Sequence, residues 1–116
     1  MEWSFEESPA FTREFRRYLT DEGLRRIQNA LAQNPEAGDT IPGSGGYRKL
    51  RFRDPSKGKG ARGGLRIIYY IWPTDAEIYL AAIYRKGDIE DLGADDLRVL
   101  RDAIKAEATE RRRRRR

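Results

Sequence analysis

Three runs of apolar residues in the middle of the chain predict the centre of its fold. They occupy residues 47–53, 65–72 and 78–86, and glycine-rich or Pro-Thr-Asp segments separate them. Successive side chains of a β-strand point to opposite faces, so a strand that is apolar on both alternations is covered on both sides. The second run has this character, whereas the first mixes apolar residues with lysine and arginine. These features predict a three-stranded antiparallel meander from Gly46 to Lys86.

Helical periodicity flanks the meander on both sides. Apolar residues recur at helical spacing in residues 11–19 and 24–31, and a narrower apolar stripe lies in residues 97–104. Residues 1–6 alternate between apolar and polar side chains, which favours a short edge strand. We therefore expect an α+β fold of the order β-α-α-β-β-β. In it an N-terminal strand and a helical hairpin pack on a small antiparallel sheet, and a C-terminal helix follows.

The net charge of +5 depends on the last six residues. Residues 111–116 are all arginine, so the rest of the chain holds 18 of the 24 basic residues against 19 acidic ones, a balance of −1. In the part of the chain before these six arginines, eight basic residues and a single acid, Asp54, lie between Tyr47 and Arg66. This local patch, and not the overall charge, indicates a surface for a polyanion.

The six arginines themselves predict a tail outside the folded part of the chain. Consecutive like charges repel one another and rarely fold alone. We expect one domain over residues 1–110 and a disordered poly-arginine tail over residues 111–116. The alternatives are a native extension of the preceding helix, a contact with RNA or the ribosome, and an engineered purification sequence.

Cysteine and histidine are both absent from the sequence. Disulfides and thiolate zinc sites are therefore excluded, as are the usual general base at neutral pH and the commonest metal ligand. No apolar run approaches the roughly 20 residues of a membrane helix. Acidic residues stand near the start, where a signal peptide carries cations. We expect a soluble cytoplasmic protein with no metal, no cofactor and no membrane partner.

The chemistry of the basic patch favours contact with nucleic acid. Arginine outnumbers lysine in it, and tyrosines are interleaved with the cations. The planar guanidinium matches two phosphate oxygens, and aromatic rings stack on bases. A basic strand face that serves only solubility remains the alternative. The glycine-rich loop of residues 57–64 connects two strands, so it lacks the strand–loop–helix setting of a nucleotide-binding loop.

Three blocks of the sequence resemble the RelE/HigB toxins of type II toxin–antitoxin systems. The blocks are Gly-Ser-Gly-Gly-Tyr-Arg-Lys-Leu-Arg-Phe, Gly-Lys-Gly-Ala-Arg-Gly-Gly-Leu-Arg-Ile-Ile-Tyr-Tyr and Ala-Ile-Tyr-Arg-Lys-Gly-Asp-Ile-Glu-Asp-Leu. They occur in the order and spacing of the family and cover about residues 41–104. The resemblance implies that residues 1–110 form a single RelE-like toxin domain with the layout expected above.

The resemblance also implies an activity and its partners. Members of the family are mRNA interferases that cleave mRNA in the A site of translating ribosomes. The ribose 2′-hydroxyl attacks the adjacent phosphate without a metal and leaves a cyclic phosphate and a free 5′-hydroxyl. The partners implied are the ribosome, its mRNA and a cognate antitoxin of the helix-turn-helix type.

Five residues match the catalytic positions of the family. Lys49 and Arg51 correspond to its basic pair, and Lys49 is the preferred general base or electrostatic anchor, because nearby cations favour a neutral amine. Arg66 is assigned to the scissile phosphate. Tyr84 is a candidate for base stacking or proton transfer, and Lys86 is a candidate for stabilising the leaving group.

One departure from the family concerns its catalytic tyrosine. RelE proper carries this tyrosine beyond the last strand of the meander, and residues 87–92 of this chain contain none. Either Tyr84 takes that role or the mechanism differs. Contacts with ribosomal or messenger RNA backbone are assigned to four further cations, which can equally be solvated: Arg53, Lys57, Lys59 and Arg62.

Two other functions remain open at this point. A ParE-like toxin has the same fold but poisons gyrase through protein contacts. The combination of Lys49, Arg51 and Arg66 argues against it, since such a toxin needs no phosphate site. A non-catalytic RNA-binding domain of the same fold is the second alternative.

Overall fold

The computed structural model describes residues 2–53, 64–87 and 92–115. The predicted α+β fold with its C-terminal helix is confirmed. The elements in chain order are β1 (Ser4–Glu7), α1 (Pro9–Glu14), a 3-10 helix (Phe15–Arg17), α2 (Asp21–Gln33), β2 (Asp39–Thr40), β3 (Arg48–Phe52), β4 (Leu65–Trp72), β5 (Glu77–Arg85) and α3 (Ala94–Arg114).

The strands form one five-stranded sheet in the order β1-β5-β4-β3-β2. The predicted meander corresponds to β3, β4 and β5, which pair antiparallel. The predicted edge strand β1 pairs parallel with β5, so the sheet is mixed rather than purely antiparallel. A parallel pair requires a long connection, and all the elements between β1 and β5 supply it. The two-residue strand β2 lies in a segment that the sequence predicts as loop.

Local hydrogen bonds explain where the N-terminal helices begin. The Ser8 hydroxyl accepts a hydrogen bond from the Phe11 amide at 2.9 Å, and it donates one to the Ala81 carbonyl at 2.7 Å. The first bond caps α1, and the second joins its start to β5. Thr20 caps α2 in the same way through the Gly23 amide at 3.1 Å. Both helices therefore start at positions indicated by the sequence.

The two faces of the sheet carry separate apolar clusters. On one face α1, the 3-10 helix and α2 pack against β4 and β5. The first cluster consists of Phe11, Phe15, Leu19, Leu24, Ile27, Leu31, Leu65, Ile67, Tyr69, Ile78, Leu80 and Ile83. The second cluster lies on the opposite face under α3 and consists of Tyr47, Ile68, Tyr84 and Ile104. As predicted, the central strand β4 is covered on both sides.

A bulge in β5 changes which residues share the second face. Ile68 lies opposite Ala82, whereas the next residue, Tyr69, lies opposite Leu80, so Ala81 has no opposite residue on β4. Such an extra residue shifts the alternation of side chains by one position. Tyr79 therefore packs with the second cluster, on the face that also holds Tyr84. Residues 79 and 84 are five positions apart, so strict alternation would put these two tyrosines on opposite faces.

Helix α3 includes four residues of the arginine run. Arg111 to Arg114 form its last turn, and Arg111 is 8% exposed. This differs from the predicted disordered tail, because Arg111 pairs with Glu107 one turn earlier and with Asp75 between β4 and β5. In residues 2–53, 64–87 and 92–115, no helix has the length and apolar content needed to cross a membrane.

The buried phenol of Tyr47 leads to a prediction about alkaline stability. Burial, with a smaller contribution from Tyr79 and Tyr70, raises its pKa from 10.0 to about 12. The stabilisation that the neutral Tyr47 phenol gives the folded state is therefore complete below pH 10 and is lost as the pH rises through about 12. Tyr47→Phe should retain up to about 2–3 kcal/mol more unfolding free energy than the wild type at the upper end of this range.

Urea denaturation at each pH from neutral to 12 measures this difference. Tyr18→Phe, at a partly exposed tyrosine of the opposite face, is the matched control. Parallel losses of stability in Tyr47→Phe and the wild type would contradict the prediction.

Candidate functional site

A row of three side chains crosses the meander on its second face. Arg51 of β3 lies opposite Arg66 of β4, and Arg66 lies opposite Tyr84 of β5. Lys49 lies two residues from Arg51 on the same strand and therefore on the same face. Neighbouring strands lie about 4.8 Å apart, and residues two apart on a strand are separated by roughly 7 Å. The fold thus brings four of the five predicted catalytic residues together.

These four residues differ in their access to solvent. Arg51 is exposed and Lys49 is half-buried, whereas Arg66 is 8% exposed and Tyr84 is 6% exposed. An anion that approaches this face meets Arg51 and Lys49 before Arg66. The ring of Tyr84 offers almost no free surface to a base. Of its two predicted roles, proton transfer by the hydroxyl fits this burial better than base stacking does.

Two further predicted residues, Lys86 and Arg53, follow the ends of β5 and β3. Lys86 is exposed directly after β5, and its amide donates a hydrogen bond to the Gly64 carbonyl at 3.2 Å. Arg53 is exposed directly after β3. Lys57, Lys59 and Arg62 lie outside the described residues, so their predicted RNA contacts remain predictions.

Two cations of the row face each other across neighbouring strands. Arg51 and Arg66 are directly opposite, a position in which like charges repel each other by roughly 0.2–1 kcal/mol. A bound anion between the two strands would attract both guanidinium groups. Guanidinium groups also bind the oxygens of a phosphate in a defined geometry.

The far end of β4 carries a second polar centre that sequence reasoning missed. The Arg111 guanidinium lies over the Trp72 ring, 4.2 Å from its centroid, and contacts Asp75 at 2.7 Å and Glu107 at 2.8 Å. Hydrogen bonds from Arg111, and then from Arg115, hold the pKa of Asp75 below its usual value. The spacing of Glu107 and Arg111 was a visible signal, since residues four apart on a helix are neighbours. The other contacts join distant parts of the chain.

The described residues offer no candidate metal site. Among them, no group of three or more acidic side chains is placed to hold a metal ion. The site consists instead of cations and a phenol. Such groups can bind an anion, stabilise negative charge that develops on it, and move a proton.

Solved structures of an E. coli toxin are similar in fold to this chain. An arginine-to-alanine double mutant of the E. coli toxin RelE in the free state matches with a TM-score of 0.55 and 16% identity, over 75% of this chain and 86% of that chain. A chain in the intact E. coli RelBE toxin–antitoxin complex matches with a TM-score of 0.55 and 16% identity, over 77% of this chain and 99% of that one.

The isolated E. coli RelE toxin in a crystal gives a similar result. Its TM-score is 0.53 at 16% identity, and the match covers 94% of this chain and 97% of that chain. No family model matches the sequence. The structural similarity establishes the RelE-like toxin fold, and it thereby confirms at the level of fold the resemblance that three sequence blocks indicated.

Gly64 leads to a prediction about the start of β4. Its φ of +47° lies in the left-handed region, and a Cβ atom at this position would overlap the Phe52 carbonyl oxygen. Gly64→Ala should therefore reduce the unfolding free energy by more than the roughly 1–3 kcal/mol of backbone strain alone. Urea denaturation measures the loss.

Gly87→Ala is the matched control for this prediction. Gly87 also has a positive φ, of +96°, but a Cβ atom there has no heavy atom within 4 Å. This variant should show the strain without the overlap. Equal losses in the two variants would show that the contact with Phe52 relaxes without cost.

Proposed function

We propose that this chain is the toxin of a type II toxin–antitoxin system and that it cleaves mRNA in the ribosomal A site without a metal. The observation that carries the proposal is the cross-strand row of Arg51, Arg66 and Tyr84, with Lys49 beside it, on a RelE-like fold. The similarity to a chain of the RelBE complex supports the toxin–antitoxin assignment. A cognate antitoxin, of the helix-turn-helix type, is the proposed partner.

The proposed reaction is an attack of the ribose 2′-hydroxyl on the adjacent phosphate. A bond forms between the 2′ oxygen and phosphorus, and the bond from phosphorus to the 5′ oxygen of the next nucleotide breaks. The products are a 2′,3′-cyclic phosphate and a 5′-hydroxyl. The reaction requires a group that takes the 2′ proton, cations around the phosphate and a group that protonates the leaving oxygen.

The residues of the row can be assigned to these tasks. Lys49, on the approach side, takes the 2′ proton or anchors the phosphate. Arg51 and Arg66 stabilise the additional negative charge of the phosphorane. Tyr84 gives a proton to the leaving 5′ oxygen, and the exposed Lys86 stabilises the charge there.

Burial of Arg66 supports its place in this mechanism. Preorganised donors in a site from which water is partly excluded stabilise a developing charge more than donors in water do. Arg66 is 8% exposed and lies between two strands that hold its backbone on both sides. Its position is thus determined before the substrate arrives.

The alignment of the reacting atoms is assigned to the ribosome and not to the sheet face. Cleavage requires the 2′ oxygen, the phosphorus and the leaving oxygen to lie in line, and holding them so provides a large share of catalysis. We assign this alignment to the messenger held in the A site. The exposed Arg53, together with Lys57, Lys59 and Arg62, is assigned to RNA backbone around it.

Removal of the Arg66 guanidinium tests the phosphate assignment. Arg66→Ala should lower the rate of A-site cleavage roughly 100-fold or more, since it removes a preorganised donor to the phosphorane. Primer extension on mRNA from translating ribosomes measures the cuts, and thermal denaturation checks the fold. Arg25→Ala, at an exposed arginine of α2 on the other side of the sheet, is the matched control and should cleave like the wild type.

Two results would contradict this assignment. Equal cleavage by Arg66→Ala and Arg25→Ala would remove Arg66 from the site. An absence of A-site cuts with the wild-type protein would reject the interferase itself. Gyrase trapped on DNA in the same cells would then favour the ParE-like alternative.

The Tyr84 hydroxyl can be tested separately from its ring. Tyr84→Phe keeps the packed ring and removes only the hydroxyl, so cleavage should fall about 100-fold. The pH dependence of the single-turnover rate should change as well, because the proton donor is gone. Full activity of Tyr84→Phe would limit the residue to packing.

A further inference from the structure

The first arginine of the C-terminal run differs from its neighbours in the structure. We propose that Arg111 is a positioning residue: it holds α3 against the second face of the sheet and, through α3, determines how Tyr84 is packed. The inference rests on the proposed function in so far as it concerns cleavage. Its structural consequences can be measured without any activity.

Arg111 joins the end of α3 to the hairpin of β4 and β5. Its guanidinium donates hydrogen bonds to Asp75 at 2.7 Å and to Glu77, which both belong to the turn and start of β5. The Trp72 ring at the end of β4 lies beneath it at 4.2 Å from the centroid. Glu107, one helical turn earlier, accepts a further bond at 2.8 Å. A guanidinium that is 8% exposed thus has carboxylates and an aromatic face around it.

Helix α3 has few other attachments to the sheet. Ile104 and Arg111 are the only buried residues of its described length. Arg101, near its start, donates a hydrogen bond to the Gly43 carbonyl at 2.7 Å. A helix that buries so little apolar surface depends on its polar contacts for its position. Leu100 also packs on the second cluster, and Arg115, directly after the helix, pairs with Asp75 at 3.0 Å through partly exposed side chains. Loss of Arg111 therefore leaves the second half of α3 with Ile104 as its buried contact and the more exposed Arg115 as its link to Asp75.

Ile104 connects this helix to Tyr84. Both residues belong to the second cluster, together with Tyr47 and Ile68. Ile104 precedes Arg111 by two turns of helix, which is about 10 Å. If those two turns leave the sheet, the cluster loses Ile104, and the 6% exposure of Tyr84 must rise. The Tyr84 side chain, at the strand position opposite Arg66, then loses part of the packing that holds it in place.

The neighbouring arginine offers a matched control. Arg112 is exposed and donates a hydrogen bond to Thr109 of its own helix at 3.3 Å. Arg112→Ala removes the same charge, from the next position, as Arg111→Ala. A difference between the two variants therefore reports the contacts of Arg111 and not the charge of the run.

Two structural measurements test the inference directly. Amide hydrogen exchange should become faster in α3 of Arg111→Ala and remain as in the wild type in Arg112→Ala. Nitration by tetranitromethane, read at Tyr84 by mass spectrometry, should be several-fold faster in Arg111→Ala alone, since reactivity follows exposure of the ring. Tyr69, which is buried in the first cluster, is the internal reference. Arg111→Lys should restore part of the protection, because an ammonium still pairs with carboxylates.

The cleavage reaction provides the functional test. In Arg111→Ala the maximal single-turnover rate should fall on the order of tenfold, while the ribosome concentration for half-maximal rate changes by less than about twofold. A misplaced proton donor slows the chemical step without removing a ribosome contact. Arg111→Lys should recover part of the rate, and Arg112→Ala should retain all of it.

The outcomes separate this inference from the proposed function. Equal exchange and nitration in Arg111→Ala and Arg112→Ala would overturn it, and so would a loosened α3 with an unchanged cleavage rate. If the wild type does not cleave mRNA, the proposed function fails, and exchange and nitration alone decide whether Arg111 positions Tyr84. If Arg111→Ala does not fold, the double variant Asp75→Asn and Glu77→Gln, which removes two partners and keeps Arg111, must show the same pattern.

Discussion

The structure depends on the pairing of β4 with a strand on each side. This strand is apolar on both faces, so it forms the boundary between the two clusters and receives helices on both sides. Its hydrogen-bonded register also determines which residues of β3 and β5 lie next to one another. The candidate site is a consequence of that register, because its members come from three strands and are separated by many residues along the chain.

Charge is distributed unequally along β4. Near its start, Arg66 lies opposite Arg51 of β3, so two cations are neighbours there. At its far end lies an acidic group that surrounds one guanidinium, that of Arg111. The start of β4 belongs to the proposed site, whereas its far end is joined to α3 through Arg111.

Periodicity accounted for most of the fold. Helical spacing in residues 11–19 and 24–31 predicted the helices that cover the first face, and the apolar runs predicted the three strands of the meander. Periodicity does not predict the bulge at Ala81. Ala81 lies between apolar and small residues that fit either face, so nothing in the local pattern distinguishes a regular strand from a bulged one. Tyr79 was therefore placed with the wrong neighbours.

Sequence alone determined the helices, the four longer strands, their order and the residue types of the proposed site, because these follow from local side-chain patterns. Only the tertiary structure decided the burial of Arg66 and Tyr84, the parallel pairing of β1 and the role of Arg111. Each of these depends on groups that are distant along the chain. Arg111 and Asp75 are 36 residues apart, and a run of six arginines repels itself until folding places carboxylates around its first member.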